Sequence, residues 1–162
     1  MRLKLVLESL LPKCVGDRHI DLIARGVDNQ VRPLTAMEHT LRAVNRTRGT
    51  IVCKNLEDAG GLAGQSRGLL GRNRLDPGSG MLFENGKFTP FMWMHMFFMK
   101  FAIDIVFLGR DGRVLKINAD LRPWRVSSVV FGARRALELE VGAVASSGTR
   151  VGDIIAIEQI NL

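Results

Sequence analysis

All eight Phe and both Trp of this 162-residue chain lie between Phe83 and Phe131, and the 82 residues before Phe83 hold none. Large rings bury the most apolar area per residue, so the core must be centred in the middle of the chain. The length gives room for one domain and little else. A hydrophobic share of 46% beside 24% charged residues is that of a globular protein, not a disordered one.

The net charge is +7. Residues 1–48 hold nine Lys/Arg against five Asp/Glu, and residues 49–162 hold fourteen against eleven, so most of the excess sits on the less core-like part. Such a balance permits contact with nucleic acid or an acidic membrane surface. No run of five or six basic residues occurs and RNA-binding signatures are missing, so a solvated basic surface is expected and nucleic acid is not an expected partner.

The two cysteines, Cys14 and Cys53, are far apart and lack metal-ligand spacing. A reducing compartment, the cytoplasm, is expected. The start MRLKLVLESLL carries the charges of a secretory n-region, but Glu8 and Ser9 break its apolar run, and no signal peptide is expected. Residues 91–108, FMWMHMFFMKFAIDIVFL, are long enough to span a bilayer. They carry Lys100 and Asp104, and each charge at a bilayer centre costs roughly 2.5–3.5 kcal/mol. Two buried strands and no membrane association are expected instead.

Before Gly49 the spacing is helical: Leu34, Met37, Leu41 and Val44 fall on one helix face, and residues 18–27 repeat the signal more weakly. Residues 1–48 are therefore expected to be an extension, partly helical or disordered, ahead of a β domain over 49–162. Within that domain the patterns predict strands at 50–56, 81–84, 91–99, 103–108, 113–118, 124–130, 135–140 and 154–160, and short helices at 59–70 and 142–147. Asp111-Gly112 tolerates the positive φ angles of a tight turn and marks a hairpin between two of these strands. No crossover helices separate most strands, which disfavours a parallel βαβ fold. The expected fold is mainly β (α+β), a small curved sheet or partly open β-barrel with two short helices.

From about Thr50 to Glu158 the chain resembles the DUF192 family, also known as UPF0127. The resemblance runs through Arg67-Gly68-Leu69-Leu70-Gly71-Arg72, His95 with Phe97-Phe98-Met99, and Ile103-Asp104-Ile105-Val106-Phe107-Leu108. It continues through Asp111-Gly112, Leu121-Arg122-Pro123-Trp124-Arg125, Leu137-Glu138-Leu139 and Val151-Gly152-Asp153. It implies a compact, mainly β fold with two short helices and implies no activity, since the family is uncharacterised. Relatives carry a small polar residue after the histidine, where this chain has Met96.

Two residues stand out in apolar strands. Asp104 is costly there unless paired or hydrogen-bonded, so it is either a site acid or a carboxylate satisfying backbone N–H groups or an arginine. His95, the only histidine after residue 48, is either a general base or metal ligand or a hydrogen-bonded core residue, the last being favoured. Met92, Met94, His95, Met96 and Met99 are soft donors, but strict alternation puts His95 and Met99 opposite the other three, which favours core packing over a metal site. Arg67, Arg72, Arg122 and Arg125 carry the forks that grip carboxylate or phosphate or else form surface ion pairs, and Trp124 either stacks on a ring or sugar or plugs the barrel.

No GxSxG, HExxH, P-loop, dinucleotide fingerprint or CxxC occurs, so no cofactor or metal is expected. The favoured function is a small-ligand binding domain for an anionic or sugar-like compound. Arg72, Arg122 and Arg125 would hold its charge, Trp124 would stack, and His95 and Asp104 would direct it. Two alternatives stay open: an enzyme using His95 and Asp104 as an acid–base pair, and an interaction module docking through the basic N-terminal extension. Oligomeric state is left open.

Overall fold

The computed structural model describes residues 40–60, 69–86 and 88–160. These belong to a compact unit, Thr35–Leu162, whereas Met1–Leu34 lies outside the described residues. In chain order the strands are β1 (Thr40–Asn45), β2 (Thr50–Asp58), β3 (Ser79–Glu84), β4 (Phe91–Met92), β5 (Ile103–Leu108), β6 (Val114–Leu121), β7 (Val130–Phe131), β8 (Arg135–Glu140) and β9 (Ile155–Ile160). Helix α1 (Ala143–Ser147) precedes the last strand.

Seven strands form one sheet in the order β6-β5-β8-β3-β2-β1-β9, and β4 pairs with β7 apart from it. The pairings are antiparallel except β2–β3, which is parallel. The sheet does not close into a barrel, yet its two edges meet at one end. There Arg113 bridges Ile154, Val114 N–H donates to the Asp153 carbonyl at 2.8 Å, and Ile155 N–H donates to Gly112 at 2.9 Å. The expected mainly β fold with a curved, open sheet is what forms.

Gly112 serves both the hairpin and this junction. Its φ of 81° lies in the left-handed region that side chains disfavour. A Cβ there would also run into the Ile155 carbonyl oxygen.

Both faces of the sheet are covered, which is why β5 is buried at all six positions. On one face Met81, Phe83, Ile103, Ile105, Phe107 and Ala136 pack against Met92, Met96, Met99 and Val130. On the other, Leu82, Val106, Leu108, Leu137 and Leu139 pack with Val52, Leu56, Val144 and Ile155. The methionines are thus core residues, as alternation favoured, with the difference that Met99 joins them instead of lying opposite.

Four expectations need correction. Leu41 and Val44 are strand residues, not helical ones: Leu41, Ala43 and Asn45 point inward by alternation, and the sheet starts at Thr40, ahead of Gly49. Their three-residue spacing mimicked a helix because Ala43 and Asn45 do not read as core residues. Residues 91–99 pair as a ladder only at Phe91–Met92 and again in a single bridge from His95 to Val126. Residues 124–130 are likewise mostly irregular. The helix expected over 59–70 falls largely outside the described residues, leaving α1 as the one helix among those described, and Leu69–Gly71 is a turn. No helix among the described residues is long and apolar enough to cross a membrane.

Candidate functional site

Where the methionine segment lies over β3 and β8 it leaves a cavity of about 390 Å³. Its walls include Phe83 and Glu84 from β3, Phe91 to His95 from the covering segment, Asn85 and Thr89 from the loop between, and Glu138 from β8. Met92 and Met96 turn inward to the core, and Trp93, His95 and Phe97 turn outward.

Glu138 is the unusual member. It lies in the middle of β8, between Ile105 of β5 and Met81 of β3, and is 6% exposed. Among the described residues no hydrogen bond or ion pair reaches its carboxyl group. Its side-chain oxygens are not sealed in the core, and they open on the cavity. Burial pushes its pKa up to about 7, because the charged form loses hydration without gaining a partner. Asn85, by contrast, is spent on the wall, donating to the Thr89, Phe91 and Ala133 carbonyls at 3.3, 2.8 and 3.3 Å.

His95 is exposed, so the expected core histidine is not found. Its ring stacks on Phe97 with centroids 5.2 Å apart and tilts against Trp93 at 6.1 Å. The ring row continues to Trp124, 6.3 Å from Phe97, and to Phe98, 5.1 Å from Trp124. Trp124 is 61% exposed and plugs no barrel. Ser127, on the neighbouring segment, holds the covering chain by accepting the Met94 N–H at 2.8 Å.

Asp104 lies elsewhere. It shares a sheet face with Val106, opposite Ile105, and borders a second, shallower cavity with Asp120, Gly142 and Val144. It is 2% exposed and accepts three backbone N–H groups: Asp120 at 2.9 Å, and Gly142 and Val144 at 3.1 Å each. These bonds tie the end of β6 and the start of α1 to β5. His95 and Asp104 therefore do not come together.

Nor do the arginines converge. Arg72 forms a two-pronged pair with Glu57 at 3.0 and 2.5 Å on the surface, which holds the Glu57 carboxyl below its usual range. Arg122 is exposed and 3.7 Å from Asp120. Arg125 is exposed, and its carbonyl accepts the Met96 N–H at 2.8 Å. None of the three lines the cavity that holds Glu138. Arg67 lies outside the described residues. Glu138 was not singled out from sequence. The available signal was a carboxylate between Leu137 and Leu139 on a strand.

Comparison with known proteins bears on the fold and on kinship. A solved structure from Sinorhizobium meliloti 1021, named as a candidate transcription regulator, superposes with a TM-score of 0.62 at 25% identity, covering 76% of this chain and 95% of that one. A protein of unknown function from Novosphingobium aromaticivorans DSM 12444 gives 0.59 at 23% identity, covering 78% and 90%. A UPF0127 protein of Thermococcus sibiricus is 36% identical over 62 residues, 38% of this chain, which thereby spans 40% of that relative's length. The family model for DUF192, described as an uncharacterized ACR, matches residues 43–157, and the chain belongs to that family.

Proposed function

We propose that this domain binds a small organic ligand in the cavity between β3, β8 and the methionine segment. Glu138 and His95 supply its polar contacts, and Phe91 and Trp93 its flat apolar walls. The observation that carries the reading is Glu138, a nearly buried carboxyl group facing the cavity without a partner among the described residues. Burial of an unsatisfied ionisable group costs stability, and binding sites are where such costs are retained. An anionic ligand fits this cavity poorly, because Arg72, Arg122 and Arg125 lie outside its walls. A sugar-like ligand fits better: its hydroxyls would donate to Glu138 and its C–H face would lie on Trp93.

A second reading is favoured by the same group. A carboxyl with a pKa near 7 lining the same cavity as an imidazole suits acid–base chemistry at neutral pH, so an enzyme would use Glu138 with His95 rather than Asp104. In the cytoplasm, the expected compartment, the Cys53 thiol would stay inert, since burial pushes it up to about 11.

A thermal-shift screen of the full chain against sugars, amines, nucleotides and carboxylates tests the binding reading. A ligand at about 100 times its Kd stabilises the fold by about 2.7 kcal/mol. The expected hit is lost in Trp93→Ala and altered in Glu138→Gln. A hit indifferent to both but lost in Arg122→Ala would move the site to the surface and overturn the proposal.

A further inference from the structure

The charge of the cavity runs against that of the chain. The protein carries +7 overall, yet the described residues around the cavity include two carboxylates, Glu84 and Glu138, and no Lys or Arg. Glu84 is exposed at the rim and has Arg135 at 4.0 Å. Glu138 lies deeper, with no cation facing it among the described residues. The donors of Asn85 are already committed to backbone carbonyls, so the polar wall mainly offers acceptors.

The remaining lining also has a preference. Phe91 and Trp93, 38% and 45% exposed, are among its aromatic lining residues, and Met92, Met94 and Met99 are its thioether ones. Ring faces carry a negative quadrupole and attract a desolvated cation, most strongly at Trp. An anion would meet repulsion from Glu138, and a neutral ligand could donate hydrogen bonds to the carboxylate but would leave its charge unneutralised. A protonated amine is the group that answers all three: it supplies three donors, one positive charge and a cation–π partner.

We infer that the ligand of this cavity carries a protonated amino group, seated against the Glu138 carboxylate and walled by Phe91 and Trp93. The inference rests on the binding reading above and names the ligand class for that site. Glu138 is then the specificity-determining residue: it distinguishes an amine from an alcohol of the same shape.

Matched pairs test this directly. The full chain is titrated calorimetrically with benzylamine against benzyl alcohol and with glucosamine against glucose. Each amine is expected to bind at least about tenfold more tightly than its alcohol, a difference of about 1.4 kcal/mol. Glu138→Gln keeps the side chain's shape and is expected to bring that ratio close to one. Trp93→Ala, at a half-exposed wall position, should weaken amine and alcohol together. Retained far-UV circular dichroism and an unchanged cooperative melt confirm that both variants fold. Alcohols binding as tightly as amines, or an amine preference that survives in Glu138→Gln, overturn the inference while leaving the cavity as a binding site. Failure of all four compounds to bind overturns both.

Discussion

Phe98 and Trp124 meet edge to face with ring centroids 5.1 Å apart, and both hold left-handed backbone, at φ 63° and 64°. For residues of this size that conformation is strained, at a cost of order 1–3 kcal/mol each. The strain is imposed from beneath. Met96 is fully buried, its N–H donates to the Arg125 carbonyl at 2.8 Å, and its own carbonyl accepts Trp124 N–H at 2.9 Å and Met99 N–H at 3.3 Å. The rings themselves are 70% and 61% exposed and recover little by burial. Phe98→Gly and Trp124→Gly should each change stability by less than about 1 kcal/mol, relief of strain offsetting the lost ring contact. Phe107→Ala, in the fully buried core, should cost about 3–5 kcal/mol. Urea denaturation of the three variants checks the contrast, and a large loss at Phe98 would show that its ring is structural.

How much of this was legible in the sequence depended on whether local pattern and tertiary context agreed. Strands β5 and β8 and the Asp111-Gly112 turn could be read directly, because hydrophobic pattern and turn chemistry point the same way. Over residues 91–97 the alternation holds, Met92 and Met96 inward and the rings outward, and it breaks at Phe98 and Met99; an extended chain with two faces need not pair as a strand. Asp104 and Glu138 form the more instructive pair. Asp104 drew notice because every neighbour in β5 is apolar. Glu138 did not, because Glu140 made β8 look like a strand with one wet face. That the methionine segment covers that face is a tertiary fact with no local signal.

Asp104 is a structural carboxylate on this geometry, and the prediction is correspondingly specific. Asp104→Ala strands three backbone N–H groups, those of Asp120, Gly142 and Val144. Hydrogen bonds to a charged group contribute about 1.5–3 kcal/mol each, and water entering the site recovers part, so a net loss of about 3 kcal/mol is expected. Hydrogen exchange should accelerate first at Gly142 and Val144. Binding at the Glu138 cavity, measured below the shifted melting point, should be unchanged.

At Gly112 two constraints coincide, a φ of 81° and the approach of the Ile155 carbonyl. Gly112→Ala should therefore cost more than about 2 kcal/mol, beyond the ordinary penalty for a left-handed alanine. The loss should be local before it is global, since the Ile155 N–H bond to Gly112, at 2.9 Å, is part of the junction between the sheet edges. Exchange at the Ile155 amide reports it. Gly49→Ala, at φ 68° but in open space, serves as the control and should cost less.

Asp153 contributes to the acid limb, alongside Glu57 and Glu158. Arg48 at 2.6 Å and Asn45 at 2.9 Å hold its carboxyl down at about 2, below the ordinary 3.8. A carboxyl bound more weakly to its proton in the folded state stabilises the fold above its unfolded pKa and loses that contribution as pH falls through the folded value. Stability should therefore decline as pH falls from about 4 toward 2. Asp153→Asn should flatten that part of the profile when unfolding is followed by urea titration at successive pH values.

Glu138 acts with the opposite sign. Its pKa is raised from 4.5 to about 7 in the folded protein. Between those values the folded state keeps a proton that the unfolded chain has released, so stability falls as pH rises through this window. The full difference, about 3 kcal/mol, is reached above the folded pKa and is absent below the unfolded one. Glu138→Gln cannot ionise, so its stability should stay level over the same range. The two proteins should be close at acid pH and diverge toward alkaline pH, with the glutamine variant the more stable. A bound amine should narrow the gap by neutralising the carboxylate in the native protein alone, adding more stability to the wild type than to Glu138→Gln. Urea denaturation with and without benzylamine on both sides of neutrality separates the two effects. A wild-type profile as flat as the variant's would mean that water or a cation already compensates Glu138, and the cavity would lose the feature that distinguishes it as a site.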